Sequence, residues 1–194
     1  MVGMSGSSNS FEPLARRAFS FLEMAGFRVN VCGPSAVRYS TPRTFVKVEW
    51  EQRSGELNVF FGLQASSGNR ELPVSLTDLL RMQGAVSSSA QPFQVPDEKR
   101  LEPFLEKLAE DTRTHAQAAL DGDRMFFRRL VIFRNAQAKL VTDEMRCRQV
   151  RAKAEHAWKL KKFDEVVTLY GEIEDSLTEG EMAKLNYARK HQSS

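Results

Sequence analysis

Histidine and cysteine are scarce in this chain: of 194 residues, three are His and two are Cys. Cys32 and Cys147 lie far apart, without the dense, even spacing of a secreted disulfide framework, so a reducing compartment is expected. His115, His156 and His191 form no His-x-x-x-His pair, and no Cys-x-x-Cys accompanies them, so no metal site is expected. Glu155 and His156 are adjacent on a helical stretch and point in different directions, as a solvated pair would.

A Gly-rich phosphate loop, a Gly-x-Ser-x-Gly elbow and a kinase signature are also missing. The reading is therefore of a protein that is not an enzyme, with no catalytic residue and no cofactor. Local spacing excludes local motifs only, because a triad is recognised by geometry. Long apolar runs are lacking too. The longest spans 130–133, far short of the roughly 20 residues that a membrane helix requires. Residues 1–10 are Gly/Ser-rich, without the basic and apolar regions of a signal peptide, and read as a disordered tail. A cytoplasmic protein with no membrane association is expected.

What is present suffices for one good core, or one core with a smaller helical appendage: 41% of the residues are hydrophobic. Over 11–25, Leu14, Ala15, Ala18, Phe19, Leu22 and Ala25 recur near helical spacing and Gly26 follows as a stop, predicting a first helix. Residues 28–31 and 37–40 are short extended candidates on either side of Gly33-Pro34. From Thr44 the period becomes two. Val46, Val48 and Trp50 alternate with Lys47, Glu49 and Glu51, Arg53-Ser54-Gly55 supplies a turn, and Leu57, Val59, Phe61 and Leu63 resume the alternation, predicting a β-hairpin.

Ser75 is placed to cap a short helix through Met82, stopped by Gly84. Residues 85–96 have a loop composition. A helical stripe follows over 98–120, closed by Asp121-Gly122-Asp123, and further helices are predicted over 124–140, 142–160, 163–177 and 178–190, with Thr142 and Thr178 as N-caps. The fold class is α+β: an N-terminal helix, an antiparallel β-meander with covering helices, and an all-α C-terminal tail. The organisation expected is a tail over 1–10, an α+β domain over 11–134 and a helical extension over 135–194.

Two resemblances rest on these residues. The run Tyr39-Ser40, Phe45 through Trp50, Arg53 through Leu57, Leu76-Thr77-Asp78-Leu79-Leu80 and Leu120-Asp121-Gly122-Asp123 resembles a group of small bacterial proteins of unknown function, over about 11–134. Some members of such groups are discussed as immunity-type proteins. The resemblance implies that helix 98–120 packs with the sheet, and it carries over no functional residues. Residues 154–170 are similar to one tetratricopeptide-type helical hairpin, with Ala154, Phe163 and Tyr170 at matching places and Val166 where that repeat prefers alanine. A single copy forms no concave peptide groove, since each unit buries its face against neighbours.

Charge is segregated along the C-terminal part. Residues 124–162 hold twelve Lys and Arg against Asp143, Glu144 and Glu155, whereas Asp164, Glu165, Glu172, Glu174, Asp175, Glu179 and Glu181 follow with no cation before Met182. One consequence would be a surface for nucleic acid or an acidic partner, with affinity falling steeply as salt rises. The other would be an acidic segment folded back on the basic one. Phe126, Phe127, Phe133 and Trp158 sit at helical spacing and read as core rather than as base-stacking platforms.

Glu49 and Glu51 share a strand face, where solvation accounts for them better than acid/base chemistry. Tyr39, Trp50 and Arg53 cluster at the hairpin, and such residue types are enriched at interface hot spots. Trp50 is expected in the core. The partner-binding candidates are Arg53, Tyr39, Arg128, Arg129, Arg146 and Arg148. A protein partner is expected, the alternative being a nucleic acid bound by the basic helices over 124–162.

Overall fold

The computed structural model describes residues 11–64, 73–85, 89 and 91–191. The tail expected over 1–10, and part of the loop expected over 85–96, lie outside the described residues. The chain divides into two compact units between Arg134 and Asn135.

In the first unit, α1 (Phe11–Ala18) and α2 (Ser20–Met24) replace the single helix expected over 11–25. The interruption is at Phe19, whose side chain is fully buried. Its N–H still donates to Ala15 at 3.0 Å, and its own carbonyl accepts from Leu22 at 2.9 Å, so the helix tightens by one residue here while that ring enters the core. Gly26, at φ 88°, ends α2 in a conformation that glycine adopts without steric cost.

Strands β1 (Arg28–Val31), β2 (Ala36–Ser40), β3 (Thr44–Glu51) and β4 (Glu56–Leu63) form an antiparallel meander in sequence order. Two short strands, β5 (Val74–Ser75) and β6 (Phe93–Gln94), pair with opposite ends of β4 and cover its outer edge. The register places Tyr39 opposite Val46, Val46 opposite Phe61, and Val48 opposite Val59. These apolar side chains share one buried face, as the period of two predicts.

The other face carries Lys47 and Glu49, paired at 2.8 Å. It also carries Phe45, whose ring occupies the space above Gly62 and lies 3.8 Å beneath the Arg38 guanidinium.

Helix α3 (Leu76–Gln83) begins as expected at Ser75, whose hydroxyl accepts from the Asp78 N–H at 3.0 Å, and ends at Gly84 with φ 64°. The stripe expected over 98–120 is broken at Ala116. It comprises a 3₁₀ turn (Glu98–Arg100), α4 (Leu101–His115) and α5 (Gln117–Leu120). Leu101, Leu105, Leu108, Ala116 and Ala119 join the sheet residues in one core. The Thr44 hydroxyl, buried between the layers, lies 2.9 Å from the Gly62 carbonyl and 3.1 Å from that of Ala119, fastening β3 to β4 and α5.

Helix α6 (Arg124–Lys159) is continuous, which corrects the two helices expected over 124–140 and 142–160. Thr142 is not an N-cap. Its hydroxyl donates to the Ala138 carbonyl at 2.9 Å, four residues back in the same helix, and because the helix runs unbroken through this point no first-turn N–H is left for a cap to accept from.

The second unit contains the remainder of α6 together with α7 (Phe163–Gly171), a 3₁₀ turn (Glu174–Ser176) and α8 (Glu179–Lys190). The helix expected over 163–177 therefore ends early. Val150, Ala154 and Ala157 of α6 pack with Val166, Tyr170, Ile173, Leu185 and Ala188 in a second core. Thr178 caps α8 as expected, within a complete capping box closed by Glu181.

Candidate interaction surface

The six residues singled out in the sequence have different surroundings. Tyr39 has 0% of its surface exposed. Its hydroxyl donates to the Ala15 carbonyl at 3.2 Å, and burial, reinforced by Glu23, pushes its ionisation well above the ordinary tyrosine range. As a core residue it cannot serve as a surface contact, a correction that follows from its position two residues after Val37 on the buried face of β2.

Arg53 lies exposed in the β3–β4 turn, where its backbone N–H donates to the Glu51 carboxylate at 3.3 Å. Arg128 and Arg129 are exposed neighbours on the first turns of α6, in the first unit. Arg146 and Arg148 are exposed in the second.

The second unit brings part of the opposite charge together. Arg146 meets Glu172 at 3.2 Å, and Arg151 meets Glu181 at 3.0 Å and also donates to the Ser176 carbonyl. Lys184 meets Glu155 at 2.5 Å, and Arg189 meets Glu174 at 2.7 Å. The Arg189 hydrogen bonds hold the Glu174 carboxyl below its ordinary range. Burial would raise that of Glu181, but hydrogen bonds from Thr178 and the charge of Arg151 outweigh it, and the net shift is downward. Arg148 and Lys153 have no ion-pair partner among the described residues. The acidic segment thus neutralises some of the basic helix.

In the first unit, a groove of about 720 Å³ opens beside the start of α6. Phe126, Phe133 and Ile132 line it from α6, with Met82 from α3, Ala118 from α5, and Arg129 at its rim. Phe126 and Phe127 are buried, as expected of core residues, whereas Phe133 is half-buried in the groove wall. Ile132 is 60% and Met125 61% exposed, unusually open for large apolar side chains. Arg124, Arg128 and Arg129 have no carboxylate partner among the described residues. The result is an apolar trough with positive charge at its margin.

The sequence contains Phe126, Arg129, Ile132 and Phe133 of this trough in plain view, but Met82 and Ala118 come from elements whose approach only the tertiary packing sets. Trp158 is half-buried in the second unit, edge-on to Phe163 at 5.9 Å and Tyr187 at 5.5 Å.

Among the described residues, no group of three or more His, Cys, Asp and Glu is arranged to hold a metal ion. No described helix is long and apolar enough to cross a membrane. Cys32 and Cys147 are both free thiols. No family model, no curated protein and no solved structure matches this chain.

Proposed function

We propose that this chain is a non-enzymatic protein-interaction protein whose partner docks on the groove of the first unit. The observation that carries the reading is the exposed Ile132 in a trough lined by Phe126, Phe133 and Met82, together with Arg129, which has no carboxylate partner among the described residues. Burying the exposed Ile132 side chain under a partner contributes up to about 1.5–3 kcal/mol. Arginines at the rim favour acidic groups and speed encounter. The partner segment that fits is therefore an amphipathic helix with an apolar stripe and acidic flanks. An immunity-type role, in a cytoplasmic setting, would be one use of such a surface.

The test is affinity purification from the native host with wild-type, Ile132→Asp, Arg129→Glu and Arg53→Glu baits. A stoichiometric protein held by wild type and Arg53→Glu, and lost from the other two, supports the reading. Equal recovery by all four baits, or none by any at low salt, refutes it.

The second reading is nucleic-acid binding by the basic residues over 124–162. It is favoured by the cations of α6 that have no carboxylate partner among the described residues, Arg128, Arg129, Arg148 and Lys153 among them. Retardation of random DNA or RNA at about 50 mM salt, weakening as salt rises and abolished by Arg128, Arg129, Arg146 and Arg148→Glu, would support it. Absence of retardation at that salt would exclude it. Ile132→Asp separates the two readings, since an apolar contact contributes little to phosphate binding.

A further inference from the structure

A second concavity of the first unit, with no lining residue in common with the α6 groove, has different chemistry. It is an open cleft of about 530 Å³ between the end of α2, the β2–β3 turn, the end of α4 and α5. Its apolar floor includes Phe21, Phe27 and Leu120, while Arg43 and Arg113 supply cationic walls and Asp121 supplies a carboxylate.

The two arginines are presented differently. Arg113 stacks its guanidinium 4.6 Å above the Phe21 ring, leaving its N–H edge open. Arg43 sits in a turn whose backbone is pinned. Its N–H donates to the Thr41 hydroxyl at 3.2 Å and its carbonyl accepts from the Gln64 N–H at 2.8 Å, while the adjacent Thr44 N–H also donates to Thr41. Gly122, at φ 72°, lets α5 approach closely: a Cβ there would lie 3.2 Å from that of Arg43.

Neither arginine has a carboxylate within ion-pair distance among the described residues. Asp121 is within the cleft, but its carboxylate accepts from the Gln117 amide at 2.9 Å. Two arginines lining a cleft with an apolar floor, neither in ion-pair contact with a carboxylate among the described residues, are suited to an anion with a hydrophobic body, because each can give a planar carboxylate charge-assisted hydrogen bonds. The second oxygen of Asp121 remains as an acceptor for an N–H on the same ligand.

We infer that this cleft binds an apolar acylamino carboxylate: a carboxylate set on Arg43 and Arg113, an aromatic or branched side chain on Phe21, Phe27 and Leu120, and an adjacent amide N–H on Asp121. A free N-acylated amino acid and the C-terminal residue of a peptide both present that chemistry. The cleft shares no lining residue with the α6 groove, so it stands independently of the proposed docking surface.

The test titrates the full-length chain with N-acetylphenylalanine, with a hexapeptide ending in phenylalanine, and with the C-terminal amide of each, by calorimetry and by amide chemical shifts. The two carboxylates should bind and shift resonances of the cleft, with the amides about tenfold weaker or worse, the loss of roughly 1.4 kcal/mol expected for forfeiting a charge-assisted contact. Tighter binding of the hexapeptide identifies a chain terminus as the source, and equal or tighter binding of the acetylated amino acid identifies a free small molecule. Arg43→Gln and Arg113→Gln should each weaken the carboxylates about tenfold while Arg53→Gln leaves them unchanged. The inference is overturned if acid and amide bind wild type equally, if both cleft substitutions are without effect, or if nothing shifts at about 10 mM ligand. The acid-against-amide comparison uses only the wild-type chain and does not depend on any variant folding.

Discussion

The hydroxyl of Tyr39 donates to the carbonyl of Ala15 at 3.2 Å, joining the sheet to α1 inside the core. That carbonyl also accepts the Phe19 N–H at 3.0 Å, so it keeps one partner when the hydroxyl is removed. Tyr39→Phe should therefore cost only about 0.5–1.5 kcal/mol. Tyr39→Ala empties a fully buried aromatic site and should cost about 3–5 kcal/mol. Urea unfolding of both variants checks the pair. Near-neutral behaviour of Tyr39→Ala would contradict the burial of this ring.

The sheet was legible because its signal is local. Val46, Val48 and Trp50 alternate with charged residues, and one register puts these three side chains on the buried face. The same alternation, continued from Val37 to Tyr39, places Tyr39 on the buried face, and this position outweighs the general enrichment of tyrosine at interfaces. The continuity of α6 was less legible. Leu140, Val141 and Thr142 imitate a helix boundary, but neither glycine nor proline is present to enforce one, and continuing a helix is cheaper than nucleating another. The groove and the cleft were illegible for a third reason: each gathers residues from three or more elements. Arg43 and Arg113 have no shared spacing that could be read along the chain.

Gly62 should resist substitution although it lies within a strand. A Cβ there would come 2.4 Å from Cε1 of Phe45, whose ring is itself enclosed beneath Arg38. Gly62→Ala should destabilise the first unit by about 1–3 kcal/mol through forced displacement of that ring. Combining it with Phe45→Leu should give less than the sum of the two single losses, because the clash disappears with the ring. Thermal unfolding of the two single variants and the double variant measures the coupling, and strict additivity would rule out the steric account.

Thr142 and Thr178 invite a paired comparison, since sequence alone assigns both as N-caps. Thr178 accepts the Glu181 N–H at 3.3 Å, while the Glu181 carboxylate accepts the Thr178 N–H at 2.8 Å. Thr178→Ala should cost about 1 kcal/mol. Thr142 is exposed in mid-helix and bonds back to Ala138, so Thr142→Ala should leave helix stability unchanged or raise it by a few tenths of a kcal/mol. Hydrogen-exchange protection along α6 and α8 separates these outcomes. A loss of α6 protection in Thr142→Ala would restore the boundary that the continuous helix denies.

The second unit should lose stability in acid for an identifiable reason. Arg189 hydrogen bonds hold Glu174 below its ordinary value of 4.5. Glu181 is likewise lowered, despite the opposing effect of burial, through Thr178 and Arg151. A carboxyl whose folded value is depressed contributes stability that is fully present above the unfolded value and is lost as pH falls through the folded value. Unfolding of the second unit, followed through Trp158 fluorescence, should therefore become easier below about pH 4.5. Arg189→Gln should flatten part of that decline by removing the largest cause of the Glu174 shift. At the other extreme, the Glu155 hydrogen bond raises Lys184, so its contribution is present below the ordinary lysine value of 10.5 and disappears as pH rises through the folded value. The same unit is thus expected to soften at both ends of the pH range. An acid limb as steep in Arg189→Gln as in wild type would show that the Glu174 pair does not contribute to it.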